Sequence, residues 1–281
     1  MARGRKEPLS FDELALAMLH VTILYNEKRD RREARSMSGA DDHGPQAFFA
    51  AMTQAFDGTI RARRGRHDFV GALCLQAFDS FDGNVAIQAE GAPALACKGD
   101  CPACCVIRVV ATAPEVFLVA RFVAANAAFL AQHGVDLVGR IRSAAAASGL
   151  GERERMAMQR ICPFIEDGLC LAYRVRPLAC RGHASYDEAA CRAATAGADV
   201  EAAISTPHLV VRSLVQNAMM ASLRGAGLAF GLYELNGAVT LALSTPEAEL
   251  RWTEGEDPLS PAAVADFDAK EAAATFDALR S

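Results

Sequence analysis

A chain of 281 residues is long enough for one large or two ordinary domains and for a sizeable buried core. It is 52% hydrophobic, 22% charged and only 7% aromatic, which excludes the disordered class and, with abundant alanine, favours packed helices over a β-sandwich. The net charge of -5 suits solubility and gives no support to a nucleic-acid or acidic-membrane surface.

Residues 1–95 form an N-terminal helical region. Ser10 and Glu13 make a capping box, so the apolar stretch 14–24 is predicted to be an amphipathic helix rather than a secretory signal. Asp12 and Glu13 stand where a signal is positive or neutral, and Tyr25-Asn-Glu-Lys-Arg-Asp-Arg offers no small-residue cleavage site. Interruptions are expected at 36–45, around Gly83 and at 91–93. The basic run 61–66 is expected to be a solvated helix end. Phe69, Leu73, Cys74, Ala77 and Phe81 recur at helical spacing and predict one buried face, with Cys74 packed in it as a small hydrophobe.

Residues 97–191 hold the other eight of the nine cysteines. The one strand candidate is 106–111. Thr112-Ala-Pro-Glu115 is a capping box with proline in the first turn, and the helix it opens runs through Phe129 until His133-Gly134. A polar stretch at 143–155 leads to the second cysteine group. Arg108 and Arg121 interrupt the longest apolar run before it reaches the roughly 18–20 residues of a membrane span, so no membrane partner is expected. The expected compartment is therefore the cytoplasm, whose reducing conditions favour metal ligation over disulfides. From 205 to 281 the chain is again helical. Ser205-Thr-Pro-His opens a helix carrying Leu209, Leu214, Met219 and Leu223, a second run spans 232–243, and Ser260-Pro opens the last helix. These pieces predict a mainly α protein, a single domain over 1–281, with helices surrounding a central cysteine-rich metal-binding segment that contains short irregular or β-hairpin pieces.

The chemistry lies in the cysteines. Cys97-Lys-Gly-Asp-Cys101-Pro-Ala-Cys104-Cys105 is short enough for one tight loop to aim several thiolates at a centre, with N–H groups of the turn free to hydrogen-bond the sulfurs. The second group is Cys162, Cys170, Cys180 and Cys191. Glu166-Asp-Gly168 marks a hairpin-like turn bringing Cys162 beside Cys170, and the tract 173–177 is expected to stay extended until Cys180. Ser185-Tyr-Asp-Glu188 is a capping box that places Cys191 in the first turns of a short helix. In an extended backbone the adjacent Cys104 and Cys105 point to opposite faces, which argues for two centres or a polynuclear cluster; two four-sulfur sites use all eight thiols. Four thiolates around a divalent ion carry two net negative charges, and Lys98, Arg108, Arg174, Arg176, Arg181 and Arg192 are near enough in sequence to offset them. His183, three residues after Cys180, is weighed as a ligand or proton shuttle against a hydrogen-bonded neighbour, and the neighbour is preferred. For Tyr173 and Tyr186, core packing is preferred to shielding a cluster.

The order Cys97, Cys101, Cys104-Cys105, then Cys162-Pro-Phe with Gly168-Leu-Cys170, Arg176-Pro177 with Cys180-Arg181, and Cys191 resembles the YkgJ-like cysteine-cluster family, described as a zinc- or iron-chelating domain with the signature CxxCxxCC. The first gap here holds three residues rather than two. The likeness covers 97–191, includes the Tyr-x-x-Arg-Pro tract at Tyr173 to Pro177, and implies zinc or iron, including a [4Fe–4S] cluster, as the bound metal. A related cluster in flagellin lysine methylases implies iron–sulfur-dependent methyl transfer in some relatives.

Three functions follow as expectations. The first is a metal-binding protein that chelates, stores or delivers zinc or iron through the eight cysteines. The second is an iron–sulfur enzyme such as a protein methyltransferase. Cys97-x3-Cys101-x2-Cys104 has radical-SAM spacing, but Ala103 replaces the aromatic, a fourth cysteine follows at once, and neither a Gly-Gly strand nor a βα barrel pattern is present. The third is an interaction module, in which closed structural zinc sites present the helical flanks to a protein partner.

Overall fold

The computed structural model describes residues 45–280. The helix expected over 14–24 and all but the end of the interruption at 36–45 lie outside the described residues. Helix α1 (Pro45–Arg63) begins at a proline, whose missing N–H costs nothing in a first turn, and ends in the exposed basic run. In α2 (Phe69–Gln88), Phe69, Leu73, Cys74, Ala77 and Phe81 all face inward, as their spacing predicts. The break expected at Gly83 does not occur. One glycine costs a helix only about 1 kcal/mol, and buried Phe81 and Val85 hold both sides of it. The chain does turn at Gly91, whose φ is 77°.

The strand expected at 106–111 is shifted. Val106 ends a 3₁₀ turn (Ala103–Val106), and β1 is Val110–Thr112. The predicted capping box then forms: Glu115 accepts from the Thr112 N–H at 2.8 Å and hydroxyl at 2.7 Å, opening α3 (Ala113–Gln132). Against the sequence expectation, α3 is long and apolar enough to cross a bilayer by length and composition, with mean hydropathy 1.5; two-thirds of that stretch is buried inside the fold. The polar stretch beyond it is not simply a connector. It carries the end of α4 (Leu137–Ala145) and most of α5 (Glu152–Ala157).

A two-residue hairpin follows, β2 (Ile165–Glu166) against β3 (Leu169–Cys170), turning through Asp167 and Gly168 at φ of 48° and 82°. The tract 173–177 is not extended throughout as expected: Tyr173–Val175 is a 3₁₀ turn, and only Arg176 and Pro177 run extended into α6 (Leu178–Gly182). Helix α7 (Glu188–Thr195) is capped by Asp187, which accepts from the Ala190 N–H at 2.9 Å, and not by Ser185. The Ser185 hydroxyl is turned to the Asp187 and Ala203 carbonyls instead.

Helix α8 (Thr206–Gly225) buries Met219 and Leu223 but leaves Leu209 37% exposed, outside the predicted stripe. The run 232–243 starts as strand β4 (Leu232–Glu234), paired antiparallel with β1 in the register Val110↔Glu234 and Thr112↔Leu232, before α9 (Leu235–Ser244). Glu234 caps α9 through the Gly237 N–H at 2.7 Å. After α10 (Ala248–Thr253), Ser260-Pro makes only a 3₁₀ turn, and the last helix, α11 (Ala269–Arg280), starts nine residues later than expected. Helix α8 packs on α1, α2, α6 and α11, while α9 packs on α3 and α4. Trp252 sits in the core at 5.7 Å from the Phe69 ring and 5.6 Å from Phe117. The fold is mainly helical, with four strands of two or three residues among those described.

Candidate metal centre

The cysteines ride on six separate pieces of chain. Cys97 and Cys101 lie in the loop before the 3₁₀ turn that carries Cys104 and Cys105. Cys162 precedes the β2–β3 hairpin, Cys170 ends it, Cys180 is on α6 and Cys191 on α7. Backbone contacts bind these pieces together. The Cys162 N–H donates to the Cys105 carbonyl at 2.7 Å, and the Ala96 N–H donates to the Ser185 carbonyl at 2.9 Å. Helix α7 packs directly on the 3₁₀ turn. Glu115, fully buried, accepts from the Leu178 N–H at 2.6 Å and so fixes the start of α6, two residues before Cys180.

The vicinal pair departs from its expected geometry. Cys104 and Cys105 stand in a 3₁₀ turn rather than an extended segment. Their thiols are coupled, Cys104 held below the ordinary thiol range chiefly by Cys105 and Cys105 pushed above it. The extended backbone from which two centres were argued is therefore absent at this pair.

Electrostatic neighbours sort the eight thiols around this pair. Cys97 senses Cys104 and Cys101, and Cys191 senses Cys104, Cys97 and Cys101. On the other side, Cys105 senses Cys162 and Cys170 after Cys104, and Cys180 senses Cys162, Cys170 and Cys104. Burial raises most of these thiols, Cys162 to about 12 and Cys191 to about 11. Backbone N–H groups oppose that rise. Ser185 donates to Cys97 Sγ at 3.2 Å, and Phe164 and Ala172 donate to Cys162 and Cys170 from two residues further on. The first loop supplies such a donor at Cys104, whose own backbone N–H acts on its sulfur, whereas the donor to Cys97 comes from 88 positions along the chain. All eight cysteines are free thiols, and Cys74 lies apart from them, fully buried in the core as expected. Among the described residues, no three His, Cys, Asp or Glu side chains are drawn close enough to hold one ion. The thiols are gathered into one region without being closed on a point.

Of the six cations expected to offset the sulfurs, Arg176 is the one that acts on Cys104, Cys170 and Cys180, with its guanidinium 3.7 Å from the Tyr173 ring centroid. Tyr173 itself is 41% exposed rather than packed in the core. Arg181 is spent on the Arg174 and Arg176 carbonyls and Arg108 on Asp266, while Arg192 pairs with Glu188 and also acts on Cys191. Tyr186 bonds the Ser205 hydroxyl at 3.0 Å, which in turn meets His208 Nδ1 at 2.8 Å. His183 is half-buried beside Arg212, and both burial and that charge lower its pKa.

One contributor escapes sequence reasoning. Arg155 lies in Glu152-Arg-Glu-Arg155, which looks solvated throughout, yet it is only 4% exposed and is an electrostatic neighbour of Cys162. A cleft of about 490 Å³ also reaches Cys162, lined among others by Asp136, Arg140, Ser143, Arg160 and Ile161. No family model, curated protein or solved structure matches this chain.

Proposed function

We propose that this is a metal-binding protein of the zinc- or iron-chelating cysteine-cluster type, as its likeness to the YkgJ-like family implies. The carrying observation is that the segments bearing the free thiols are tied to one another, Cys162 N–H on the Cys105 carbonyl, Ser185 N–H on Cys97 Sγ and α7 on the 3₁₀ turn, while the ninth thiol stays in the core. The donor set fits the metal chemically. Thiolates suit zinc and iron–sulfur centres, and buried thiols with raised pKa values become anions readily only when a cation replaces the proton. We take Cys97, Cys101, Cys104 and Cys191 as one four-sulfur group and Cys105, Cys162, Cys170 and Cys180 as the second, with Cys104 an electrostatic neighbour of thiols in both. Ligation then requires side-chain rotations between staggered wells, which the half-buried positions of six of these cysteines leave room for.

The chain's own residues prepare the centres. Ser185, Phe164 and Ala172 offer N–H groups that stabilise anionic sulfur, Arg176 supplies positive charge, and Glu115 fixes the segment bearing Cys180. A bound metal would supply cross-linking of these segments and, if iron, electron transfer. A second reading, an iron–sulfur enzyme such as a protein methyltransferase, draws on the cleft that opens onto Cys162, since a reactive centre needs an approach. Anaerobic purification followed by elemental analysis and a visible spectrum tests both. About two zinc ions per chain without colour supports closed chelating sites; iron with inorganic sulfide and a broad visible band moves the weight to the enzyme. Neither metal in stoichiometric amount overturns the reading.

A further inference from the structure

The cleft beside Cys162 has two walls of different character. One is a face at the start of α4, where Asp136, Gly139, Arg140, Ser143 and Ala144 follow one another at helical spacing. Gly139, Ser143 and Ala144 are small, so this face is recessed. The other wall is the run 160–165, which contributes Arg160, the 46% exposed Ile161, Pro163 and Ile165. The space between them, about 490 Å³, lies within the roughly 300–1,000 Å³ of small-molecule sites.

Three charged side chains line the cleft, and they are not equally available. Asp136 is engaged at the start of α4. One of its oxygens accepts from the Gly139 N–H at 2.8 Å, and the other lies where a Cβ on residue 139 would have to go. Its carboxylate is folded back on the helix rather than held out to a guest. Arg140 donates through Nη1 to Glu166, which fixes its guanidinium and leaves the other N–H groups unused among the described residues. Arg160 has neither an ion pair nor a side-chain hydrogen bond among the described residues.

We infer that this cleft binds a small organic anion, a carboxylate on an apolar body. Arg160 and the spare donors of Arg140 take the carboxylate, and Ile161, Pro163 and Ile165 take the body. A guanidinium suits a carboxylate because its planar N–H groups reach both oxygens at once. No metal at Cys162 is needed, so the inference stands or falls apart from the chelating reading.

The test is calorimetric titration of the whole chain, reduced, with straight-chain carboxylates from acetate to octanoate, and with octanamide and octylamine. One carboxylate should bind per chain, tightening about fourfold with each added CH₂ until the apolar wall is covered. Octanamide and octylamine should bind about 10- to 100-fold more weakly than octanoate, because the charge-assisted hydrogen bonds are lost. Arg160→Gln should weaken octanoate by a similar factor, and Ser143→Leu, which fills the recess from α4, should abolish its binding. Both positions are exposed, so both variants should fold. Equal affinity for octanoate and octanamide, a preference for octylamine, or no saturable binding overturns the inference. So does octanoate binding that survives both substitutions, the behaviour of a carboxylate held by a metal or by apolar surface elsewhere.

Discussion

Cys74 and Cys162 show how one side chain takes two characters from its surroundings. Cys74 is walled in by apolar residues of α2 and its neighbours, with no exposure, and burial holds its thiol protonated. Serine there would bury a hydroxyl without a partner and should cost about 1–3 kcal/mol, read by denaturant unfolding, with metal content unchanged. Cys162→Ser or Cys104→Ser should do the reverse to the metal. Content falls by about one ion per chain, and the melting temperature of the loaded protein falls with it. Unchanged metal and melting temperature in both variants would count against ligation. The pH dependence follows from the same thiols. Cys191 and Cys162 are raised by burial to about 11 and about 12, above the roughly 8.5 of an unfolded thiol. Groups raised in this way support the fold fully below that unfolded value, and the support is lost as pH climbs through the folded values. The metal-free reduced protein should therefore melt lower at pH 10 than at pH 7. Metal affinity should change in the opposite sense, rising with pH because each ligand must give up its proton; chelator competition at several pH values reads it.

At the scale of elements, the junctions where a strand runs into a helix carry the most consequence. Glu115 closes the α3 cap and also receives the Leu178 N–H of α6, so one carboxylate joins the helical core to the segment of Cys180. Glu115→Ala should destabilise the protein by about 2–4 kcal/mol, combining a lost cap with unsatisfied buried N–H groups, and should loosen metal binding as well. Gly168→Ala is milder. The left-handed backbone of the β2–β3 turn should cost about 1–2 kcal/mol, seen as a lower melting temperature. These elements also show what a linear reading reaches. The Thr112–Glu115 cap, the Gly168 turn and the buried face of α2 were legible because each is written in residues a few positions apart. The β1–β4 pairing joins residues more than a hundred positions apart, so nothing local announces that Leu232 leaves helical spacing to become strand. The cap expected at Ser185 falls to Asp187 because Ser185 is drawn to Cys97, Asp187 and Ala203.

Across the whole molecule, the aromatic core of Phe69, Phe117 and Trp252 is built from α2, α3 and α10, whereas the eight candidate ligands ride on the loop and 3₁₀ turn before β1, the β2–β3 hairpin region, α6 and α7. Chelation under reducing conditions should therefore leave Trp252 fluorescence close to that of the loaded protein while hydrogen exchange accelerates in 96–106 and 160–192. Global loss of Trp252 burial on chelation would show that the metal holds the entire fold. Cysteine spacing nominated the eight candidate ligands, but their electrostatic surroundings could not be read from it. Arg155 sits among residues of the kind that normally face water, and only its 4% exposure in the folded chain reveals that it is inside. The same physics hid Ser185, whose contribution is a backbone N–H that any residue type possesses.

The order of the ligands along the chain has a consequence for biosynthesis. With Cys97, Cys101 and Cys104 grouped with Cys191, the first centre to begin emerging during translation is the last to be complete. At about 5–20 residues per second, the early thiols would wait on the order of 4–17 seconds for their final partner. Throughout that interval they would be exposed to oxidation and to capture by the wrong ion, so the yield of correctly loaded protein should depend on the redox state and metal supply of the cell at the moment of synthesis.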